Sequence, residues 1–134
     1  MIRDISHITF IVKNLEQATR FLTQIFDAKE VYSSGNKTFS ISKEKFFLIG
    51  NIWIAIMEGD SHRGKTHNHI AFQVSKKDFP QYVERVKKLG IEIEDSRSRI
   101  PGEADSIYFY DYDNHLFEIH AGTLEERCVK YKSK

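Results

Sequence analysis

The chain has 134 residues, 40% of them hydrophobic and 13% aromatic, which suits one folded domain with a core and is too short for two ordinary domains. A formal net charge of +1 gives no general attraction to nucleic acid or anionic membranes, and no apolar run approaches the roughly 20 residues that span a bilayer. The start of the chain lacks the apolar segment of a signal peptide, and the single cysteine, Cys128, suits a reducing compartment. We therefore expect one domain over residues 1–134, located in the cytoplasm, with neither nucleic acid nor a membrane as partner.

The first half of the chain, about residues 1–60, predicts a strand, a helix and three more strands. The segment HITFIV begins at His7, and from Leu15 to Phe26 the apolar side chains recur at helical spacing. Asn14 followed by Gln17 has the pattern of a capping box at the start of that helix. The segments KEVYSS, TFSISKEKFFLI and IWIAIME, at 29–34, 38–49 and 52–58, then have the composition of strands.

The second half, about residues 67–122, follows a polar linker, GDSHRGKTHN at 59–68, and predicts the same order of elements. HIAFQV at 69–74 is a strand, and an apolar stripe from Phe79 to Leu89 predicts a helix, with Asp78 and Gln81 as its cap and Gly90 as its terminator. The segments IEIEDS at 91–96 and SIYFYDYDNHLFEIHAG at 106–122 supply three strands. Residues 123–134 are predicted to be a C-terminal tail.

The two halves form an internal repeat. With an offset of 62 and no gap, residues 7–34 lie over residues 69–96, and His, Ile, Phe and Val recur at matching positions. A lone βαβββ unit has too little core to be stable. The two units therefore predict an α+β fold in which two βαβββ repeats form a curled, partly open, barrel-like mixed sheet.

Two histidines and one glutamate stand out against this repeat. His7 and His69 occupy the same position of the two units, so pseudo-symmetry is expected to bring them together. Glu118 lies in an otherwise apolar strand, where a carboxylate is costly to bury unless it is paired or binds a cation. Two imidazoles and one carboxylate are typical of a catalytic divalent metal site with open positions, and Ile56, 62 residues before Glu118, leaves the fourth equivalent place without a ligand. The remaining histidines are interpreted as structural: His62, His67, His115 and His120.

Three stretches carry a resemblance to a known family: SHIT at 6–9, NHIAF at 68–72 and SIYFYDYDNHLFEIHAGTLEERC at 106–128. With His7, His69 and Glu118, they make the chain resemble the vicinal oxygen chelate superfamily and, over nearly its whole length, the FosX type of fosfomycin-resistance proteins, which are epoxide hydrolases. The resemblance implies Mn²⁺ as the usual metal and fosfomycin, a phosphonate beside an epoxide, as the substrate. It also implies a homodimer whose active site is shared between subunits, with His7 from one chain and His69 and Glu118 from the other.

The resemblance further implies a set of substrate contacts. Ser106 and Tyr108 lie on one strand face and match the family's substrate-binding hydroxyls, and Arg127 matches its phosphonate-contacting arginine. Thr9 matches the hydroxyl near the epoxide, and Trp53 matches an aromatic wall of the pocket.

Three other charged residues near these motifs have two possible roles. Arg97 and Arg99 are either phosphonate contacts or part of a flexible basic loop, and the two readings are evenly balanced. Glu126 is either a second carboxylate near the pocket or, as we favour, an ion-pair partner of Arg127.

Water needs a base to attack an epoxide carbon. Hydrolases of the family carry a glutamate at one strand position where the thiol transferases lack a carboxylate, and Glu44 matches that position. Glu44 shares a strand face with Phe46 and Leu48, whereas Lys43 and Lys45 lie on the opposite face and are interpreted as ordinary solvated charges. We predict a fosfomycin hydrolase with Glu44 as general base. Two alternatives stay open: a thiol transferase on the same scaffold, and a protein that sequesters a small molecule without turnover.

Overall fold

The computed structural model describes residues 1–94 and 105–133, and these form eight strands and three helices. In chain order they are β1 (Ile8–Val12), α1 (Leu15–Phe26), β2 (Lys29–Ser33), β3 (Glu44–Ile49), β4 (Ile52–Glu58), β5 (His69–Gln73), α2 (Phe79–Lys88), β6 (Ile93–Glu94), β7 (Ser106–Tyr110), β8 (Leu116–His120) and α3 (Leu124–Lys132). The predicted α+β class and its two βαβββ repeats are confirmed. Within the described ranges, neither sheet closes into a barrel.

Each repeat builds its own four-stranded sheet with the same topology. The strand orders are β1-β4-β3-β2 and β5-β8-β7-β6. In both sheets the first and last strands of the repeat pair in parallel and the other neighbours are antiparallel. The chain divides into two compact units: the first holds Met1–Lys65 and Asp111–His115, and the second holds Thr66–Tyr110 and Leu116–Lys134.

In the first unit, one face of the sheet packs under α1. Phe47, Ile54 and Ile56 are at most 1% exposed, and α1, which contacts β3 and β4, contributes Phe21 and Ile25 to the same core. Burying each of these side chains stabilises the fold by about 1.5–3 kcal/mol. Because side chains alternate along a strand, the opposite face carries a different set. That set includes Thr9, Glu44, Phe46, Trp53 and Ala55.

The second unit repeats this division of its sheet. Phe72, Phe109 and Phe117 are buried on one face, where the ring of Phe117 stacks with the other two. Val86 of α2 is fully buried, and α2 contacts β8. The opposite face carries the polar residues of the candidate site, namely His69, Ser106, Tyr108, Glu118 and His120.

The strand register corrects one equivalence inferred from the repeat. Ala55 pairs with Thr9 and Phe46, and Glu118 pairs with the residues 62 positions later on both neighbouring strands. Ala55 is therefore the counterpart of Glu118, and the assignment of Ile56 was wrong. The reason is that the chain has one residue more between the paired residues Tyr108 and Glu118 than between their counterparts Phe46 and Ala55, which shifts the offset within the last strand. An alanine side chain offers no ligand atom, so the fourth place is still without a ligand.

The helix ends agree only in part with the predictions. Asn14 caps α1 by accepting a hydrogen bond from the Gln17 amide at 2.9 Å, and Gly90, at φ 77°, follows the end of α2, as predicted. The predicted cap at Asp78 is wrong. Asp78 has helical backbone angles and makes no side-chain cap, whereas Ser75 Oγ accepts a hydrogen bond from the Asp78 amide at 3.1 Å.

Two predicted boundaries also differ from the structure. The strand predicted at 38–49 begins only at Glu44. The Glu44 N–H donates to the Ser34 side chain, the Glu44 carbonyl accepts from the Ser34 N–H, and the backbone hydrogen bonds between β2 and β3 end at this point. The C-terminal tail at 123–134 contains a helix, α3, that was not predicted. The Thr123 side chain accepts a hydrogen bond from the Glu126 amide and caps that helix. Thr-x-x-Glu is a capping-box pattern, so the signal for this helix was in the sequence.

Lys45 is not the solvated charge that the sequence suggested. Only 12% of its side chain is exposed, and its Nζ lies 3.1 Å from an oxygen of Glu16 and 3.1 Å from an oxygen of Glu30. Burial by itself would lower the pKa of Lys45, but the hydrogen bonds and charges of Glu30 and Glu16 outweigh it and raise the pKa above the ordinary value of 10.5. The charged amine therefore stabilises the folded state below about pH 10.5, and this contribution is lost as the pH rises through the raised pKa.

We expect Lys45→Gln to lower the free energy of unfolding by about 1 kcal/mol at neutral pH, because two carboxylates lose their shared partner. The deficit relative to the unmutated protein narrows above about pH 10.5. Urea unfolding of both proteins on either side of that pH measures it. Lys43→Gln is the matched control, since Lys43 makes no ion pair within the described residues. A deficit that does not change with pH, or an equal loss in the control, would contradict this role.

Candidate metal and substrate site

The predicted ligands His69 and Glu118 lie together in the second unit. His69 Nε2 is 3.0 Å from Glu118 Oε1, and the two side chains are 26% and 4% exposed. Parallel pairing of β5 and β8 sets His69 beside Leu116, and Glu118, two residues further along β8, lies on the same face of the sheet as His69. Two ligand atoms that are each about 2.1 Å from a common ion lie about 3 Å apart at a right angle. The separation of the two side chains is therefore that of ligands sharing one metal ion.

The hydrogen bond made by Nδ1 of His69 determines which of the two ring nitrogens can bind a metal. Nδ1 lies 2.7 Å from the backbone carbonyl oxygen of His67, so Nδ1–H donates and Nε2 carries the lone pair of the neutral ring. That lone pair and Glu118 Oε1 are both acceptors, so their approach is unfavourable unless the ring is protonated or a cation binds both. An imidazole nitrogen with a carboxylate oxygen suits Mn²⁺, Fe²⁺ or Zn²⁺. The donor atoms fit a divalent transition metal.

The outer oxygen of Glu118 is bound by the protein itself. Ser106 Oγ donates to Oε2 at 2.7 Å, and His120 Nδ1 lies 3.3 Å from the same oxygen. Ser106 is only 3% exposed. Its predicted contact with the substrate stays a prediction, and in the structure its hydroxyl donates a hydrogen bond to the Glu118 carboxylate. Oε1 is the oxygen of Glu118 that faces His69.

The other residues predicted for the substrate in this unit surround that pair. Tyr108 is buried, and its ring meets the ring of His69 edge-on, with centroids 5.3 Å apart. Arg127 is half-buried on α3, where its Nη2 lies 3.5 Å from Nε2 of His120. Glu126 is exposed on the same helix and makes no ion pair within the part of the chain that the structure describes, so its role as an ion-pair partner stays a prediction. Arg97 and Arg99 lie outside the described residues.

In the first unit, the predicted ligand His7 packs on the predicted wall residue Trp53. Their ring centroids are 4.2 Å apart, and Phe46 meets Trp53 edge-on at 5.2 Å. The indole Nε1 of Trp53 is buried and has no hydrogen-bond partner among the residues described. A buried donor without an acceptor costs about 1–3 kcal/mol. Such a group needs an explanation, and a ligand that supplies the acceptor is one.

Glu44 and Thr9 lie on the same face of the first sheet as Trp53. Ser34 fixes the backbone of Glu44 on both sides, with Glu44 N–H to Ser34 Oγ and Ser34 N–H to Glu44 O both at 3.0 Å. Glu44 is half-buried, and its carboxylate makes no hydrogen bond or ion pair within residues 1–94 and 105–133. A carboxylate held in place by its backbone, with its oxygens unused by the protein, can accept a proton from water.

The sequence interpretation missed the part played by His120. It was classed as structural because no repeat partner supported it, yet it contacts both Glu118 and Ser106. The signal was its position two residues after Glu118 in a strand, which puts both side chains on one face. His115 does have a structural role: it is buried in the first unit, with Nδ1 2.7 Å from Asp111 Oδ2.

Across the described ranges, no three His, Cys, Asp or Glu side chains lie close enough together to hold a metal ion. The second unit supplies two predicted ligands, His69 and Glu118, and the third, His7, belongs to the first unit. In these ranges no helix has the length and apolar character needed to cross a membrane.

Comparison with known proteins assigns the family. The profile of the Glyoxalase/Bleomycin resistance protein/Dioxygenase superfamily matches residues 4–119. The fosfomycin resistance protein FosX of Listeria innocua is 62% identical over 131 residues, which cover 98% of each chain. The chain belongs to this superfamily and to its FosX-type fosfomycin resistance proteins. The recognition made from the three sequence stretches is confirmed.

Two further relatives bear on the activity of such proteins. The crystal structure of a glutamate-to-glutamine variant of FosX from Listeria monocytogenes, complexed with Mn(II) and 1S,2S-dihydroxypropylphosphonic acid, has a TM-score of 0.88 to this structure. It is 56% identical and covers 98% of this chain and 99% of its own. The metallothiol transferase FosB of Bacillus licheniformis is 33% identical over 134 residues, covering 97% of this chain and 82% of its own. The chain is therefore much more similar to FosX than to this thiol transferase.

Proposed function

We propose that the protein is a Mn²⁺-dependent epoxide hydrolase that inactivates fosfomycin by adding water to its oxirane ring. The observation that carries the proposal is the approach of His69 Nε2 to Glu118 Oε1 at 3.0 Å, with the tautomer of His69 set for metal binding. The FosX relative of known structure holds Mn(II) and a dihydroxypropylphosphonate. That diol has the composition of fosfomycin plus one molecule of water.

The chemistry divides between the metal and one carboxylate. His7, His69 and Glu118 would hold the ion, which, when bound, supplies Lewis-acid stabilisation of the negative charge that develops on the epoxide oxygen. Glu44 takes a proton from the attacking water as the water oxygen bonds to a ring carbon. The carbon–oxygen bond of the ring breaks and its electron pair goes to the ring oxygen. That oxygen takes a proton from solvent to give the second hydroxyl, and Glu44 releases to solvent the proton it accepted, which restores the carboxylate.

The substrate contacts extend the same proposal. A phosphonate dianion is bound best by cations and oriented donors, and Arg127 and the Tyr108 hydroxyl supply both kinds. Thr9 supplies a hydroxyl near the epoxide, and Trp53 supplies an apolar wall whose buried Nε1–H has no acceptor among the residues that the structure describes. Ser106 contributes through Glu118, to which it donates its proton. The proposal includes Arg99 as a further contact of the phosphonate and Glu126 as a second carboxylate near the pocket.

A thiol transferase is the second candidate, and the 33% identity to FosB is the observation that favours it. Mass analysis of the fosfomycin product, with and without glutathione, cysteine or a bacillithiol-type thiol, separates the two reactions. Hydrolysis requires a gain of one water in the absence of thiol and a loss of turnover when the metal is chelated. Product that forms only with thiol would overturn the proposal, and tight binding without any product would indicate a sequestering protein.

We propose further that two copies of the chain assemble into a homodimer in the cytoplasm, with His7 of one chain completing the metal site of the other. The single cysteine fits that compartment. β1, which follows His7, is an edge strand of the first described sheet, and β5, which begins at His69, is an edge strand of the second. Exposed edges and apolar side chains such as Ile5 and Ile11, 71% and 39% exposed, favour association with a second chain.

Mixed dimers test this arrangement directly. Chains carrying His7→Ala and Glu118→Ala are expressed together with different tags, and the heterodimer is purified through both tags. If each active site is shared between the two chains, one of the two sites in the heterodimer retains all three ligands, and about half of the activity of the unmutated dimer returns. If each site lies within one chain, or if the protein is monomeric, both sites are defective and no activity returns.

A further inference from the structure

His120 lies between the two groups that the proposed function assigns to the metal and to the phosphonate. Its Nδ1 contacts Ser106 Oγ and lies 3.3 Å from Glu118 Oε2, while its Nε2 lies 3.5 Å from Nη2 of Arg127. Only 13% of its side chain is exposed. The imidazole ring of His120 therefore contacts both Ser106, which bonds the Glu118 carboxylate, and Arg127, which is assigned to the substrate.

The donors fix the direction of these hydrogen bonds. Ser106 has one hydroxyl proton and donates it to Glu118 Oε2 at 2.7 Å, so its oxygen accepts from Nδ1–H of His120. Nε2 of the neutral ring then carries a lone pair, and it accepts from the guanidinium of Arg127, which can only donate. These hydrogen bonds run from Arg127 through His120 and Ser106 to the carboxylate of Glu118.

The two ring nitrogens consequently act on different ligands. Nδ1–H supports Ser106 and the outer oxygen of Glu118, which keeps Oε1 directed at His69. Nε2 contacts the guanidinium of Arg127 and limits the positions it can adopt. Hydrogen bonds to the ligands of a metal typically change metal affinity by about 10- to 100-fold.

We propose that His120 is a positioning residue that couples binding of the phosphonate at Arg127 to binding of the metal at Glu118. This role rests on the proposed function for the identity of the two ligands. Because coupling between two binding equilibria is reciprocal, a phosphonate tightens Mn²⁺ binding by the same factor by which Mn²⁺ tightens phosphonate binding. The part of this factor that passes through His120 is removed when either ring nitrogen is removed.

Amide side chains can replace the ring nitrogens one at a time. In His120→Asn the amide N–H takes the place of Nδ1–H, and the outer acceptor is lost. In His120→Gln the longer amide places its oxygen near the position of Nε2, and the inner donor is lost. Mn²⁺ binding is measured by electron paramagnetic resonance with and without methylphosphonate, which has no epoxide, and methylphosphonate binding is measured by calorimetry on the metal-free and the Mn²⁺-loaded protein.

The two variants are expected to lose different affinities. With the other ligand absent, His120→Asn keeps Mn²⁺ affinity near that of the unmutated protein and weakens methylphosphonate about tenfold, whereas His120→Gln weakens Mn²⁺ about tenfold and keeps methylphosphonate affinity. In both variants the factor by which one ligand tightens binding of the other falls toward one. His120→Ala loses both affinities. Gln73→Ala is the control, because Gln73 pairs with His120 in the sheet but bonds the carbonyl of Gly122, and it is expected to lose neither.

Unchanged affinities in all three His120 variants, or equal losses of both affinities in His120→Asn and His120→Gln, would overturn this role. Turnover of fosfomycin by the unmutated protein is measured on the same preparations. If turnover is absent but the two affinities separate as described, the proposed function fails and the coupling stands. If turnover is normal and the affinities do not separate, only the role of His120 fails.

Discussion

Glu44→Gln is expected to lower kcat for fosfomycin hydrolysis by about 10²- to 10⁴-fold, the range that a positioned general base contributes. The amide has nearly the same shape as the carboxylate but cannot take the proton of the attacking water. Glu44 is half-buried at the start of β3, and its backbone is bonded on both sides by Ser34, so the fold is expected to tolerate the change. Mn²⁺ and methylphosphonate affinities should stay unchanged.

Two further variants make the assignment of the base specific. Glu58→Gln is the matched control, because Glu58 is an exposed carboxylate of the same sheet, and it should keep full activity. Glu44→Gly should abolish hydrolysis while Mn²⁺ binding persists, and formate should restore part of the rate by entering the space left by the side chain. Loss of Mn²⁺ binding or of folding in these variants would mean that Glu44 is structural.

Glu118→Ala is expected to weaken Mn²⁺ binding by more than about 100-fold, since loss of a ligand should exceed the 10- to 100-fold effect of losing a group that merely supports one. Hydrolysis should fall with it at Mn²⁺ concentrations that only just saturate the unmutated protein. The buried carboxylate approaches His69, Ser106 and His120, so its removal also leaves these three groups without a common partner. Mn²⁺ titration followed by paramagnetic resonance measures the loss.

Glu92→Ala provides the comparison, because Glu92 is an exposed carboxylate just before β6. Circular dichroism of both variants checks that the second unit is folded. A Glu118→Ala protein that is folded and binds Mn²⁺ as tightly as the unmutated protein would remove Glu118 from the metal site. An equal loss in Glu92→Ala would show that the measured effect follows from charge alone.

Most features of the fold, and the predicted metal ligands His69 and Glu118, could be inferred from the sequence. The repeat brought His7 and His69 to equivalent positions, and the burial cost of a carboxylate singled out Glu118 in an apolar strand. The first signal is a repeat and the second is a charged residue within an apolar segment, and both can be read from a single sequence. The approach of His69 to Glu118 within 3.0 Å follows from the parallel pairing of β5 and β8.

Other features depend on facts that periodicity does not contain. Ile56 was taken for the counterpart of Glu118 because an offset cannot show that one hairpin is a residue longer than the other. Lys45 was read as solvated because alternation gives its face but not the two glutamates that reach it from α1 and β2. His120 shares a strand face with Glu118, but only the coordinates show that its ring contacts Ser106 and Arg127.

Hydrolysis of fosfomycin in ¹⁸O-labelled water, with Mn²⁺ present and all thiols excluded, tests the proposed reaction most directly. We expect a diol phosphonate that carries one solvent-derived ¹⁸O bound to carbon in every molecule, while the other hydroxyl keeps the oxygen of the epoxide. A diol without the solvent label, or product that appears only when a thiol is added, would contradict water addition at this site.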